Sequence, residues 1–167
     1  LIMNNLEFDH GDIFDDLAAI QRQFHHLVRT LPSTGHLIYP VDDHNLKQVV
    51  DQGCWSHIQT FAEAELGSKG WGYKLLAADG SEFEIIDQNN QSALISWQHS
   101  GRHNVLNAIA AVMAASTVGV SLDKACEALS QFVGVKRRME VIYEDERVTV
   151  YDDFAHHPTA IISTVQG

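Results

Sequence analysis

The chain is short of cysteine, of basic residues and of long apolar runs. Its 167 residues include 2 cysteines, Cys54 and Cys126, too few for a disulfide scaffold or a Cys-rich zinc site, and a usage that suits a reducing cytoplasm. Lys and Arg total 11 against 22 Asp and Glu, for a formal charge of −11. That balance argues against a nucleic-acid coat, which needs a basic stripe, and against a polybasic membrane anchor. No window approaches the roughly 18 apolar residues of a membrane-spanning helix. No signal peptide opens the chain, which starts on Leu1 rather than Met, and Ile161–Gly167 reads as an unfinished helix; the expectation is a piece of a longer protein. Also lacking is any Gly-x-x-x-x-Gly-Lys-[Ser/Thr] loop. Ser68-Lys69-Gly70 does not qualify, so the usual backbone cradle for a nucleotide triphosphate is missing.

What remains is globular. Hydrophobic residues make up 45% and charged residues 20%, enough apolar surface for a buried core. Residues 1–6 read as the end of a buried strand entering a polar loop. Asp12 is the expected N-cap of a helix whose apolar stripe is Ile13, Leu17, Ile20, Phe24, Leu27 and Leu31, with Arg29 in its last turn and Pro32 stopping it. A strand over His36–Pro40, a helix over 43–52 closed by Gly53, and a strand near 55–61 follow, and 62–72 reads as loop. Short runs between Tyr73 and Trp97, broken at Asp79-Gly80 and at 87–90, predict a small antiparallel meander. An Ala-rich helix from His103 to Gly119 is apolar nearly all round, which predicts burial against a sheet. Ser121 caps the next helix, with Leu122, Ala125, Cys126, Leu129 and Phe132 as its stripe. Strands over 140–143 and 148–151 and a helix opened by Pro158 complete an α/β pattern.

Polar residues that can carry chemistry gather in four places. Asn4–Asp12 follows a strand end, where open α/β sheets bind ligands; His10 can meet a metal or a phosphate oxygen, although capping is the plainer reading. Asn104 and Asn107 lie three apart near a helix start and so share a face. Their amides donate and accept, as the adenine edge requires; Asn104 as an N-cap explains that residue equally well. Lys136-Arg137-Arg138 is the one basic run in an acidic chain, and guanidinium grips phosphate bidentately; a solvated loop is the ordinary alternative. Asp152-Asp153-Phe154-Ala155-His156-His157-Pro158 joins paired carboxylates and imidazoles between a strand end and a helix start. It has no Cys and no third spaced His to make a zinc site of His156 and His157.

The same four segments occur in this order in the Mur ligases, the ATP-dependent amide-bond-forming enzymes of bacterial cell-wall precursor synthesis, and the chain resembles that family across nearly its whole length. Asn4-Asn5-Leu6-Glu7-Phe8-Asp9-His10, His103-Asn104-Val105-Leu106-Asn107-Ala108, Arg137-Arg138-Met139-Glu140 and Asp153-Phe154-Ala155-His156-His157-Pro158 are similar to the family's motifs. The likeness extends to Gln23–Val28, Gly53–Ser56 and Val150–Ile161, and is strongest to the branch that joins a murein tripeptide to UDP-N-acetylmuramate, with the L-alanine-adding branch next. The resemblance implies that residues 1–134 are the later part of a central ATPase domain and that residues 135–167 begin a Rossmann-like C-terminal domain with its first hairpin and helix start. The UDP-sugar domain and the phosphate loop would lie outside the chain. It implies ATP and Mg²⁺ as cofactors and a cytoplasmic bacterial enzyme. His10 would help hold Mg²⁺, Asn104 and Asn107 adenine, Arg138 the γ-phosphate and Asp153 the ribose. Apart from the resemblance, the position of His156 and His157 suggests the substrate side. Two departures stand out. Some members place a carbamylated Lys on the helix after the metal His, where this chain has His25 and His26, and Phe154 stands where many have Tyr. A non-catalytic nucleotide- or metal-binding module is the rival reading.

Overall fold

The computed structural model describes residues 1–64 and 70–166, of which Gln166 by its backbone alone. Five strands form one mixed sheet in sequential order: β1 (His36–Pro40), β2 (His57–Glu63), β3 (Trp71–Leu75), β4 (Glu82–Ile86) and β5 (Ser92–Ser96). β1, β2 and β3 run parallel, and β3, β4 and β5 antiparallel. Leu1–Met3 lies along the free edge of β1, but the buried strand end expected there is present only as a single parallel bridge, Ile2 to Ile38, with Ile2 exposed. The meander is not a separate unit: its first strand is also the third parallel strand. Of the stretch expected as loop, 62–63 finish β2 and 71–72 open β3, while 65–69, with Gly67 and the Ser68-Lys69 pair, lie outside the described residues.

Helices cover both faces. α1 (Leu17–Val28) and α2 (His44–Asp51) bury Ile20, Val28, Leu46, Val49 and Val50 against Met3, Leu6, Leu37 and Tyr39. On the other face α3 (Arg102–Ser116) and α4 (Leu122–Ser130) bury Val105, Ile109, Met113 and Cys126 against Ile38, Phe61, Tyr73, Phe83, Ile85 and Ile95. β1 is therefore buried on both sides, which is why its sequence is apolar without alternation. Each fully buried Leu, Ile or Phe contributes about 1.5–3 kcal/mol over its exposed state. A separate two-stranded sheet pairs β6 (Glu140–Glu144) with β7 (Thr149–Asp152), and α5 (Pro158–Gln166) follows.

Two cap assignments change. The first helix starts at Leu17, capped by Asp16, whose side chain accepts from Ala19 N. Asp12 is not its cap, and Ile13 sits in a preceding turn, 68% exposed. That turn forms because His10 adopts a left-handed backbone (φ 54°) and its carbonyl accepts from Ile13 N and Phe14 N. Val28 completes the buried face while Leu27 is largely exposed. The N-cap of α3 is Gly101, not Asn104. Glycine is required at the nearby Asp79-Gly80 turn: Gly80 has φ 79°, and a Cβ there would meet Val105 Cγ2 at 3.0 Å.

Candidate functional site

The four polar segments converge at the C-terminal edge of the parallel strands. Asn4 follows the Ile2–Ile38 bridge at the edge of β1, and its Nδ2 donates to Asn107 Oδ1 on α3 at 2.5 Å. The loop that carries Asn4 is held from α2: Leu6 N donates to Asp43 Oδ2 at 3.1 Å, and Leu6 O accepts from Asn45 Nδ2 at 2.8 Å. Asp43 Oδ1 at the same time caps α2 through Leu46 N. One carboxylate thus starts a helix and fixes the first motif.

The N-terminus of α3 is anchored by Arg102. Its Nε donates to the Tyr73 hydroxyl at 2.8 Å, and its Nη2 lies 3.6 Å from Asp42 and 3.5 Å from Glu63, at the ends of β1 and β2. Burial pushes the Tyr73 phenol up, and the bond to that phenol pushes the Arg102 guanidinium up. This anchor puts His103, Asn104 and Asn107 over the strand ends. Asn104 Nδ2 donates back to Ser100 O at 2.7 Å, leaving its oxygen to accept. His103 is half-buried. Burial lowers its pKa, Arg138 lowers it further and Asp153 opposes both, so α3 here faces the third and fourth segments.

Those segments are tied together as well. Met139 N donates to Asp153 Oδ2 at 2.8 Å, Ala155 N to Asp153 Oδ1 at 2.7 Å, and Phe154 N to Arg137 O at 2.9 Å. Arg137 spends its charge locally, 3.4 Å from Asp152 and 5.2 Å above the Phe154 ring. Arg138 is exposed and makes no ion pair among the described residues, so its guanidinium is open to a ligand. His157 Nδ1 lies 3.8 Å from Glu7 Oε1, which joins the fourth segment to the first. His156 is exposed, and its Nδ1 donates to Phe154 O at 3.1 Å. The His10 N–H bond lowers the pKa of Asp9, with the His10, His157 and His156 charges adding to it.

Three buried polar atoms on these segments lack a hydrogen-bond partner among the described residues: Asn4 Oδ1, His103 Nδ1 and His157 Nδ1. Buried polar atoms are rarely left unpaired, and three in one region match a cleft built for a polar ligand. The metal donors are sparser. Among the described residues no group of three or more His, Cys, Asp or Glu could hold a metal ion. His10 lies 3.9 Å from Asp9, and the described residues alone do not make a Mg²⁺ site, which needs further oxygen donors. A cleft of about 450 Å³ lined by Trp97, His99, Phe132 and Val133 shares no residue with the four segments.

Sequence reasoning singled out His10, Asn104, Asn107, Arg138, Asp153, His156 and His157, and the segments bearing them all meet here. It missed Asp43, Asn45, Arg102 and Glu140. Arg102 stood beside a motif; the others carried no signal beyond a helix start and a motif's last letter.

Residues 1–115 match the Mur ligase middle domain, and the chain belongs to the Mur ligase family. It is 50% identical over 167 residues to the UDP-N-acetylmuramate–L-alanyl-γ-D-glutamyl-meso-2,6-diaminoheptandioate ligase of Escherichia coli strain K12, covering 99% of this chain and 35% of that protein. To the UDP-N-acetylmuramate–L-alanine ligase of Desulfitobacterium hafniense it is 34% identical over 170 residues, covering 100% of this chain and 36% of the other. The crystal structure of a murein peptide ligase from Psychrobacter arcticus superposes with a TM-score of 0.78 at 47% identity, covering 99% of this chain and 34% of that one. The chain therefore spans about a third of the length of the relatives it matches. No helix among the described residues is long and apolar enough to cross a membrane.

Proposed function

We propose that this chain is part of a cytoplasmic, ATP-dependent ligase that joins L-alanyl-γ-D-glutamyl-meso-diaminopimelate to UDP-N-acetylmuramate in peptidoglycan recycling. The observation that carries the reading is the convergence of the four motif segments, with buried polar atoms that lack a hydrogen-bond partner and an exposed Arg138 that makes no ion pair among the described residues. The higher identity to the tripeptide-adding relative than to the L-alanine-adding one, 50% against 34%, favours the tripeptide.

In this reading the sugar's carboxylate attacks the γ-phosphorus of ATP and ADP leaves. The peptide amine then displaces phosphate from the acyl phosphate to form the amide. Such transfer depends on positioning and on neutralising charge. Asn104 and Asn107 face the adenine, Asp153 the ribose and Arg138 the γ-phosphate. His10 would supply one ligand to Mg²⁺, which when bound would neutralise phosphate charge. His156 and His157 lie on the substrate side. Residues 1–134 form the later part of the central ATPase domain and 135–167 open the C-terminal domain, with the UDP-sugar domain and the phosphate loop encoded outside the 167 residues.

Reading the source gene on both sides tests this: a Gly-Lys-[Ser/Thr] phosphate loop should lie upstream in frame, and a frame without one contradicts the reading. The 167-residue chain alone should release no phosphate from ATP.

A further inference from the structure

Arg138 stands between two residues in the left-handed region, Arg137 at φ 59° and Met139 at φ 49°. Neither is glycine, so neither adopts that backbone without strain. Each is held by a carboxylate from the neighbouring hairpin. Arg137 N donates to Glu140 Oε2 at 2.9 Å, where β6 begins, and Met139 N donates to Asp153 Oδ2 at 2.8 Å, just after β7. Phe154 N closes the turn on Arg137 O. Hydrogen bonds to an ionised acceptor are stronger than neutral ones, and two of them flank one exposed guanidinium.

We propose that Glu140 and Asp153 are positioning residues that lock this left-handed turn and so aim Arg138, with the Asp153 carboxylate coupling the nucleotide's ribose to its terminal phosphate. The inference rests on the functional reading above. A carboxylate has about four lone-pair sites, and Met139 N and Ala155 N occupy one on each oxygen. Asp153 can therefore hold Met139 while it accepts from a hydroxyl. Its loss removes a ribose contact and also releases the turn, which costs the γ-phosphate contact.

The test is the ratio of ATP to ADP affinity in the full-length ligase, because only ATP carries the group that Arg138 meets. Asp153→Asn, with one acceptor oxygen, should lower that preference about tenfold. Adding Met139→Gly should restore most of it, since glycine takes a positive φ unaided. Glu140→Ala should lower the ratio in the same direction, and adding Arg137→Gly should restore it, with no ribose contact involved. If Asp153→Asn does not fold, the Glu140 pair of variants decides on the same ratio. Equal loss of ATP and ADP, or no recovery with glycine, overturns the inference while wild-type binding still supports the functional reading. A wild-type enzyme that binds neither nucleotide overturns that reading itself.

Discussion

Asn4 and Asn107, 103 residues apart, meet through a side-chain hydrogen bond that joins the first polar loop to the face of α3. With its oxygen engaged by Asn4, Asn107 presents its NH₂ outward. Asn4→Ala should therefore weaken adenine-nucleotide binding by the full-length enzyme by about 1 kcal/mol, roughly fivefold, without touching the base. Calorimetric titration checks this, and unchanged affinity contradicts it.

His103 carries a pH signature. Burial favours its neutral form and lowers its pKa from 6.5, so on acidification the unfolded chain takes up the proton first. The stability contributed by neutral His103 is complete above 6.5 and is lost as pH falls through the lowered folded value. Urea midpoints measured as a function of pH should decline on the acid side, and His103→Gln should flatten part of that decline. An identical pH slope in the variant contradicts it.

Arg102 and Tyr73 should be coupled. Tyr73 is fully buried and its hydroxyl bonds Arg102. Arg102→Met leaves that hydroxyl orphaned, at a cost of about 1–3 kcal/mol. Tyr73→Phe added to it should recover much of the loss, giving a coupling of about 1 kcal/mol in a double-mutant cycle. Strict additivity of the two changes contradicts the pairing.

The cysteines should differ in reactivity. Burial pushes the Cys126 thiol up to about 11, with Asp123 adding to the shift, whereas Cys54 is only partly covered. An alkylating reagent at about pH 8 should modify Cys54 alone in the native chain and both thiols after denaturation. Labelling of native Cys126 contradicts the packing of α4.

Local signals in the sequence suffice for some elements and not for others. β1 was legible residue by residue because a polar stretch precedes His36 and Pro40 ends the run. The meander was legible from Asp79-Gly80 and 87–90, because tight turns force antiparallel pairing. Its parallel joining to β2 was not, since a parallel pairing carries no tight-turn signal in the sequence. Asp12 and Asp16 are both good caps. The choice between them fell to the left-handed His10 turn, within a loop that Asp43 and Asn45 hold at Leu6. In the site, each segment was visible from its residue types and its likeness to the family. The bonds that assemble it, Asp43 to Leu6 and Glu140 to Arg137, join groups whose partners are set by tertiary approach or backbone strain, and neither leaves a pattern in the sequence.

The most direct measurement is ligation by the full-length enzyme, supplied with ATP, Mg²⁺, UDP-N-acetylmuramate and either L-alanyl-γ-D-glutamyl-meso-diaminopimelate or L-alanine. The expected result is ATP-dependent formation of the UDP-N-acetylmuramoyl tripeptide with matching ADP and phosphate, reduced about a hundredfold or more by Arg138→Ala. No ligation with either acceptor, or preferential use of L-alanine, would contradict it.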